Sequence, residues 1–146
     1  MENKTIYAQV LPLNLVHKTW EKIKPFFESS WTDESDECTI DQAKVYVSKG
    51  DWIVIVFADE KAEIHGAALI KVYNATNERI AYCLALGGRV IFTQEVFDQF
   101  CALVKSMGAT KIQCAIKINS NGKEPMARLL RRYGYRELYK TLEVAI

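Results

Sequence analysis

The stretch Trp52-Ile53-Val54-Ile55-Val56-Phe57-Ala58 is apolar at every position, and two more apolar runs follow it, Ile64–Tyr73 and Arg79–Leu86. A strand with one wet face alternates in polarity, so an unbroken run reads as a strand covered on both faces. The linkers are short and polar. Asp59-Glu60-Lys61 and Asn74-Ala75-Thr76-Asn77 are rich in residues that turn a chain through local hydrogen bonds. Three strands joined by tight polar turns predict an antiparallel meander.

Outward from the meander the pattern becomes helical. Upstream, Ile6–Leu11 reads as a strand closed by Pro12, and Asn14 caps a helix with apolar positions Val16, Trp20, Ile23 and Phe27. Pro25 lacks an N–H and crowds the preceding turn, so it is expected to kink or shorten that helix. Glu28–Glu37 is a polar, acidic loop, and Thr39-Ile40-Asp41-Gln42 has capping-box spacing for a helix that stops at Gly50. Downstream of Gly87-Gly88, Thr93 caps a helix with a core stripe of Val96, Phe97, Phe100, Val104 and Met107, ended by Gly108. Lys111–Ile118 reads as a strand and Asn119-Ser120-Asn121-Gly122 as a loop. Pro125 opens a last helix that buries Met126, Leu129, Leu130 and Tyr133 and stops at Gly134, and Leu138–Val144 is a final strand. Antiparallel strands first and strand–helix–strand units second predict one α+β domain over residues 1–146. Its sheet is mixed and mostly antiparallel, with six or so strands flanked by about four helices.

The composition narrows the function classes. At 146 residues and 49% hydrophobic, the chain can bury a core without metal or disulfide staples. Lys and Arg number 19 against 18 Asp and Glu, and aromatics are not interleaved with the basic residues, so no nucleic acid is expected as partner. Cys38, Cys83, Cys101 and Cys114 lie far apart, never as Cys-x-x-Cys, and read as reduced structural thiols of a cytoplasmic protein. His17 and His65 lack a second ligand at metal spacing, so no metal is expected. Neither a signal-like start nor a bilayer-length apolar run is present, so no membrane association is expected. Arg128, Arg131 and Arg132 make the last helix basic and Asp33–Glu37 is acidic, a pairing that suits solvated faces, a homodimer or docking to a partner.

The order of segments resembles the GNAT superfamily of N-acetyltransferases along nearly the whole chain. The helix ending Leu129-Leu130-Arg131-Arg132-Tyr133-Gly134-Tyr135 looks like that family's ending, a helix stopped at Gly before an aromatic. Gly87-Gly88, Ser106-Met107-Gly108-Ala109 and Ala127-Arg128-Leu129-Leu130 look more like small GNAT-like proteins encoded by bacteriophages, which would place the protein in a host cytoplasm or a virion. The resemblance implies that Arg79–Leu86 and Lys111–Ile118 are parallel neighbours that splay just past Leu86, with acetyl-CoA in the notch. By position it implies Leu84, Leu86, Gly87, Gly88, Arg89, Thr93 and Asn121 as cofactor contacts, and Tyr82, Asn119 and Tyr133 as catalytic residues.

The departures from the family pattern are specific. The usual phosphate loop of closely spaced glycines is replaced by Leu86-Gly87-Gly88-Arg89-Val90-Ile91-Phe92-Thr93. Gly87-Gly88 either lets backbone N–H groups approach a phosphate beside Arg89 or serves a strand-end turn that needs positive φ. The position where many members keep a tyrosine acid holds Leu130, which cannot donate a proton, while Tyr133 sits on a core-facing step of the helix. Candidate bases on the central strands are Glu63, His65 and Tyr82, with a buried neutral histidine the plainer reading of His65. Ala81, Cys83 and Ala85 leave room for a close helix or a thin ligand. Two functions are therefore expected: an N-acetyltransferase that moves acetyl from acetyl-CoA to an amine, or a catalytically inactive GNAT-shaped binding or virion-associated phage protein, with a second copy or a phage or host protein as partner.

Overall fold

The computed structural model describes residues 5–28, 30–31, 38–88, 93–116, 125–138, 142 and 144–146. The chain forms two compact units, Met1–Ala115 and Ile116–Ile146. In the first, the elements are β1 (Tyr7–Val10), a single 3-10 turn (Leu13–Leu15), α1 (Val16–Glu28), α2 (Ile40–Ser48), β2 (Ile53–Ala58), β3 (Ile64–Ala75), β4 (Glu78–Gly88), α3 (Gln94–Ser106) and β5 (Lys111–Cys114). The second contains α4 (Pro125–Arg131). The architecture is α+β, as expected.

The five strands lie in sequence order in one sheet, β1-β2-β3-β4-β5. The first three pairings are antiparallel and β4–β5 is parallel, because α3 carries the chain back across the sheet between those two strands. The unbroken apolar run of β2 is explained by burial on both faces. Val54 and Val56 pack with Val16, Trp20, Ile23 and Phe27 of α1, and Ile55 and Phe57 pack with Val96, Phe100 and Val104 of α3.

Local signals act as expected at most helix ends. Thr39 and Gln42 close a full capping box, with the Thr39 N–H bonded to Gln42 Oε1 at 2.8 Å and the Gln42 N–H to Thr39 Oγ1 at 3.2 Å. Thr93 Oγ1 accepts the Val96 N–H at 3.2 Å. Arg79 finishes α3 from outside, its Nε donating to the Met107 carbonyl at 2.9 Å. A side-chain clamp also covers the free edge of the sheet: Gln99 of α3 accepts the Ala8 N–H at 2.9 Å and donates to the Ile6 carbonyl at 3.2 Å.

Four expectations are corrected. Asn14 lies inside the 3-10 turn Leu13–Leu15, which follows Pro12 and has no side-chain cap bond, and so does not cap α1. Helix α1 runs through Pro25 to Glu28 and is not shortened. Pro25 is exposed, so the carbonyl it leaves unpaired meets water, while buried Ile23 and Phe27 on either side hold the helix down. Strand β4 continues past Leu86 through Gly87 and Gly88, which pair with Ala67 and Gly66, so the glycines belong to the strand. The sheet has five strands among the described residues. Of the expected final strand Leu138–Val144, the described residues Leu138, Leu142 and Val144 are exposed and take no part in the sheet.

Candidate functional site

Strand β4 is paired with β3 from Glu78 to Gly88, but with β5 only from Ile80 to Cys83, opposite Lys111 to Cys114. One further bond, from the Ala115 N–H to the Cys83 carbonyl at 3.4 Å, ends the contact. The strands were expected to part just past Leu86; among the described residues their pairing ends at Cys83, and Leu84–Gly88 run on with β3 alone as their described sheet partner. A bulge marks the departure. Leu69 pairs with Ala85 and Ile70 with Cys83, which leaves Leu84 as the extra residue.

The bulge rearranges the faces of β4. Ala81, Cys83 and Leu86 pack on the α3 side, whereas Leu84 and Ala85 both join the cluster under α1 and α2. Strict alternation had placed Ala85 with Ala81 and Cys83, and the inserted residue moves it to the opposite face. The small side chains Ala81 and Cys83 are covered by α3, so a helix occupies the space they leave.

Leu86 lies on this overrunning edge, where its backbone N–H meets a side chain from just after α1. In an antiparallel ladder alternate residues turn their N–H groups away from the partner strand. The Leu86 N–H bonds Ser30 Oγ at 3.3 Å, and that hydroxyl donates in turn to the Phe27 carbonyl at 3.3 Å, at the end of α1. Gly88 has φ of +141°, and a Cβ there would lie 2.5 Å from both the Gly66 Cα and the His65 carbonyl oxygen. This close approach of two backbones accounts for the second glycine of the pair.

The neighbouring hairpin holds the site's titratable groups. Asp59, at the end of β2, is buried, and its Oδ1 accepts the N–H groups of Lys61 at 2.9 Å and Glu63 at 3.1 Å. Its Oδ2 lies 2.8 Å from His65 Nε2. The hydrogen bond from His65, with the two backbone N–H groups, holds the Asp59 carboxyl down at about 2, so it is a carboxylate across the working pH range. Ligand atoms of Asp59, Glu63 and His65 all lie within 4.8 Å of one another. His65 immediately precedes Gly66, the partner of Gly88, so a carboxylate-oriented imidazole stands on β3 beside the free end of β4.

The expected site residues are only partly brought together. Leu84, Leu86, Gly87 and Gly88 share the overrunning end of β4, Tyr82 lies on the same strand opposite Lys71 and Gln113, and Thr93 caps α3. Arg89, Asn119 and Asn121 lie outside the described residues. Tyr133 belongs to the second unit, where it sits half-buried in the turn after α4 and not on its core-facing stripe. Its N–H bonds the Leu130 carbonyl at 2.9 Å, and Gly134, with φ of +90°, follows it. Leu130 is buried there. Sequence reasoning missed Ser30 and Asp59. Ser30 carried no signal, while Asp59 had one, a turn-forming Asp six residues before a strand histidine.

No protein-family model matches the sequence, and no curated protein matches it. Solved structures do. The chain is similar to the aminoglycoside acetyltransferase HMB0005 from an uncultured soil metagenomic sample, with a TM-score of 0.68, 15% identity, and 97% and 99% of the two chains covered. It is similar to the aminoglycoside acetyltransferase meta-AAC0020, also from a soil metagenomic sample, with a TM-score of 0.64, 13% identity, and 97% and 96% covered. It is also similar to aminoglycoside N-acetyltransferase AAC(6')-Iy in complex with CoA, with a TM-score of 0.65, 7% identity, and 99% and 97% covered. At these identities the likeness concerns the course of the backbone: the chain has the fold of GNAT acetyltransferases.

Proposed function

We propose that this chain is an acetyl-CoA-dependent N-acetyltransferase whose reacting centre lies along Leu84–Gly88. The observation that carries the reading is the overrun of β4 beyond the last β5 rung, with the Leu86 N–H held there by a side-chain hydroxyl. The thioester end of the ligand fits this edge, because a carbonyl exchanges with a hydroxyl without breaking the β-ladder. Acetyl-CoA would supply the acetyl group already activated as a thioester. The chain orients and moves protons. The Leu86 N–H stabilises the oxygen on which negative charge develops. His65, oriented by Asp59, takes the proton of the attacking amine as the N–C bond forms and the C–S bond breaks. Tyr82, opposite Lys71 and six residues along the ladder from His65, is about 20 Å from that base and does not share its centre, so solvent protonates the departing thiolate. Gly87 and Gly88 at the end of β4, Arg89 after them and Thr93 at the start of α3 are assigned to the cofactor by that place in the chain, whereas Asn119, Asn121 and Tyr133, in the second unit, take no part in this reading.

The acceptor is an amine. Aminoglycosides head the panel to be tried because similar folds are named for them. Addition of acetyl-CoA at 100 times its dissociation constant is expected to stabilise the chain by about 2.7 kcal/mol, with CoA thiol released when a competent amine is added. His65→Gln is expected to keep the stabilisation and lose the release.

One observation favours a second reading, the binding module. The Leu86 N–H is already satisfied inside the chain by Ser30. A protein that shows no thermal shift with acetyl-CoA is that module and not an acetyltransferase.

A further inference from the structure

Cys83 and Cys114 are Cα partners on the last rung of the β4–β5 ladder. Neighbouring strands run about 4.8 Å apart, within the roughly 4.4–6.8 Å Cα separation that a disulfide spans. Both side chains belong to the cluster on the α3 face, so they leave the sheet on the same side. Cys83 is buried, with Sγ 3.4 Å from the Ala85 carbonyl oxygen, and Cys114 is partly exposed, with Sγ 3.6 Å from the Ala115 carbonyl oxygen. Their mutual interaction holds the Cys114 thiol below its ordinary value, while the same interaction, with burial, pushes Cys83 well above it. The pair thus combines one reachable nucleophile and one sheltered partner in register with it.

We propose that Cys83 and Cys114 are a redox-active dithiol that low-molecular-weight disulfides, of which oxidised glutathione is the type, convert to an intramolecular disulfide at the fork of the sheet. The Cys114 thiolate attacks one sulfur of the reagent, forming a mixed disulfide and expelling one glutathione thiolate. Cys83 then attacks the Cys114 sulfur, gives up its proton to the second departing glutathione, and closes the Cys83–Cys114 bond. The protein loses two electrons and two protons, and one oxidised glutathione becomes two reduced ones. The new bond fastens β4 to β5 at the last rung of their ladder. Cys38 and Cys101 have no cysteine opposite them, and the Cys101 thiol is raised, chiefly by burial.

The test uses the whole folded chain. It is incubated with oxidised glutathione, its remaining thiols are alkylated, and it is cut with trypsin, which places Cys83 in Ile80–Arg89 and Cys114 in Ile112–Lys117. The expected product is these two peptides joined, with a loss of two hydrogens. Cys83→Ser, or Cys83→Ala if the serine disturbs packing, is expected to stop at one glutathione on Cys114, and Cys114→Ser to leave Cys83 free. A stable glutathione adduct on Cys114 of the unmodified sequence, or recovery of both peptides fully alkylated, overturns the proposal.

Discussion

The Leu86 N–H and the Ser30 hydroxyl, 56 residues apart, meet at 3.3 Å and join the end of α1 to the edge of β4 beyond the last β5 rung. This bond is both a restraint on the free protein and a competitor for any ligand carbonyl at that edge. Ser30→Ala removes the competitor and leaves the amide open. Because a neutral hydrogen bond is worth about 0.5–1.5 kcal/mol net, acetyl-CoA is expected to bind roughly 2–10-fold tighter to the variant. Calorimetric titration decides it. Equal affinity means that the ligand does not use Leu86, and no binding by either protein removes the acetyltransferase reading itself.

Gly88 and Gly134 both have positive φ, yet they differ in surroundings. A Cβ at Gly88 would strike backbone atoms of His65 and Gly66 at 2.5 Å, whereas nothing lies within 4 Å of a Cβ at Gly134. Gly134→Ala is expected to cost about 1 kcal/mol for the left-handed conformation alone. Gly88→Ala adds overpacking against immobile backbone and is expected to cost roughly 3 kcal/mol or more. Urea denaturation of the two variants should show that order, and equal costs would mean that the β3–β4 backbones separate easily.

Asp59 ties pH to stability. Its carboxyl is held at about 2 in the folded chain against an ordinary 3.8, so its stabilising effect is fully present above the ordinary value. The effect is lost as pH falls from about 4 toward 2, because the unfolded chain takes up the proton first. Melting temperatures of the parent and Asp59→Asn should therefore keep a constant gap above about pH 4 and converge as pH falls from about 4 toward 2. A constant gap over that range would show that the carboxylate is not held by His65 and the turn amides.

Gln99 closes the edge of β1 through two bonds of opposite sense. Gln99→Leu leaves the Ala8 N–H and Ile6 carbonyl without these partners, at an expected cost of about 1–3 kcal/mol for the lost bonds. Hydrogen exchange at Ala8 should quicken while that in β3 stays slow. Unchanged exchange at Ala8 would mean that the clamp does not protect the edge.

Much of the fold was legible because its signals are local. The unbroken apolar run Trp52–Ala58 anticipated a strand buried on two faces, and Thr39 with Gln42 anticipated a capping box, since both depend only on residues a few positions apart. Pro25 misled for the converse reason: propensity forecasts a break, and burial of Ile23 and Phe27 overrides it. Alternation failed at Ala85 because a bulge is a property of a strand pair, and one strand's sequence does not record it.

The candidate site was less legible. Tyr82, Leu84 and Leu86 fall on the strand that the apolar run predicted, whereas the two glycines join it only through their pairing with Ala67 and Gly66. Ser30 and Asp59 escaped because their roles exist only across the fold or across a turn.

By itself the amino-acid sequence determined the α+β class, most of the elements in their order, the Thr39 and Thr93 caps and the strand that must be sheathed on both sides. Those features arise from periodicity and nearest-neighbour hydrogen bonding. Only the tertiary structure decided where β5 leaves β4, that Leu86 turns its amide to Ser30, that Asp59 meets His65, and that two cysteines stand opposite each other at Cys83 and Cys114. Each of these depends on register and bulge placement, where a shift of one residue exchanges the faces of a strand.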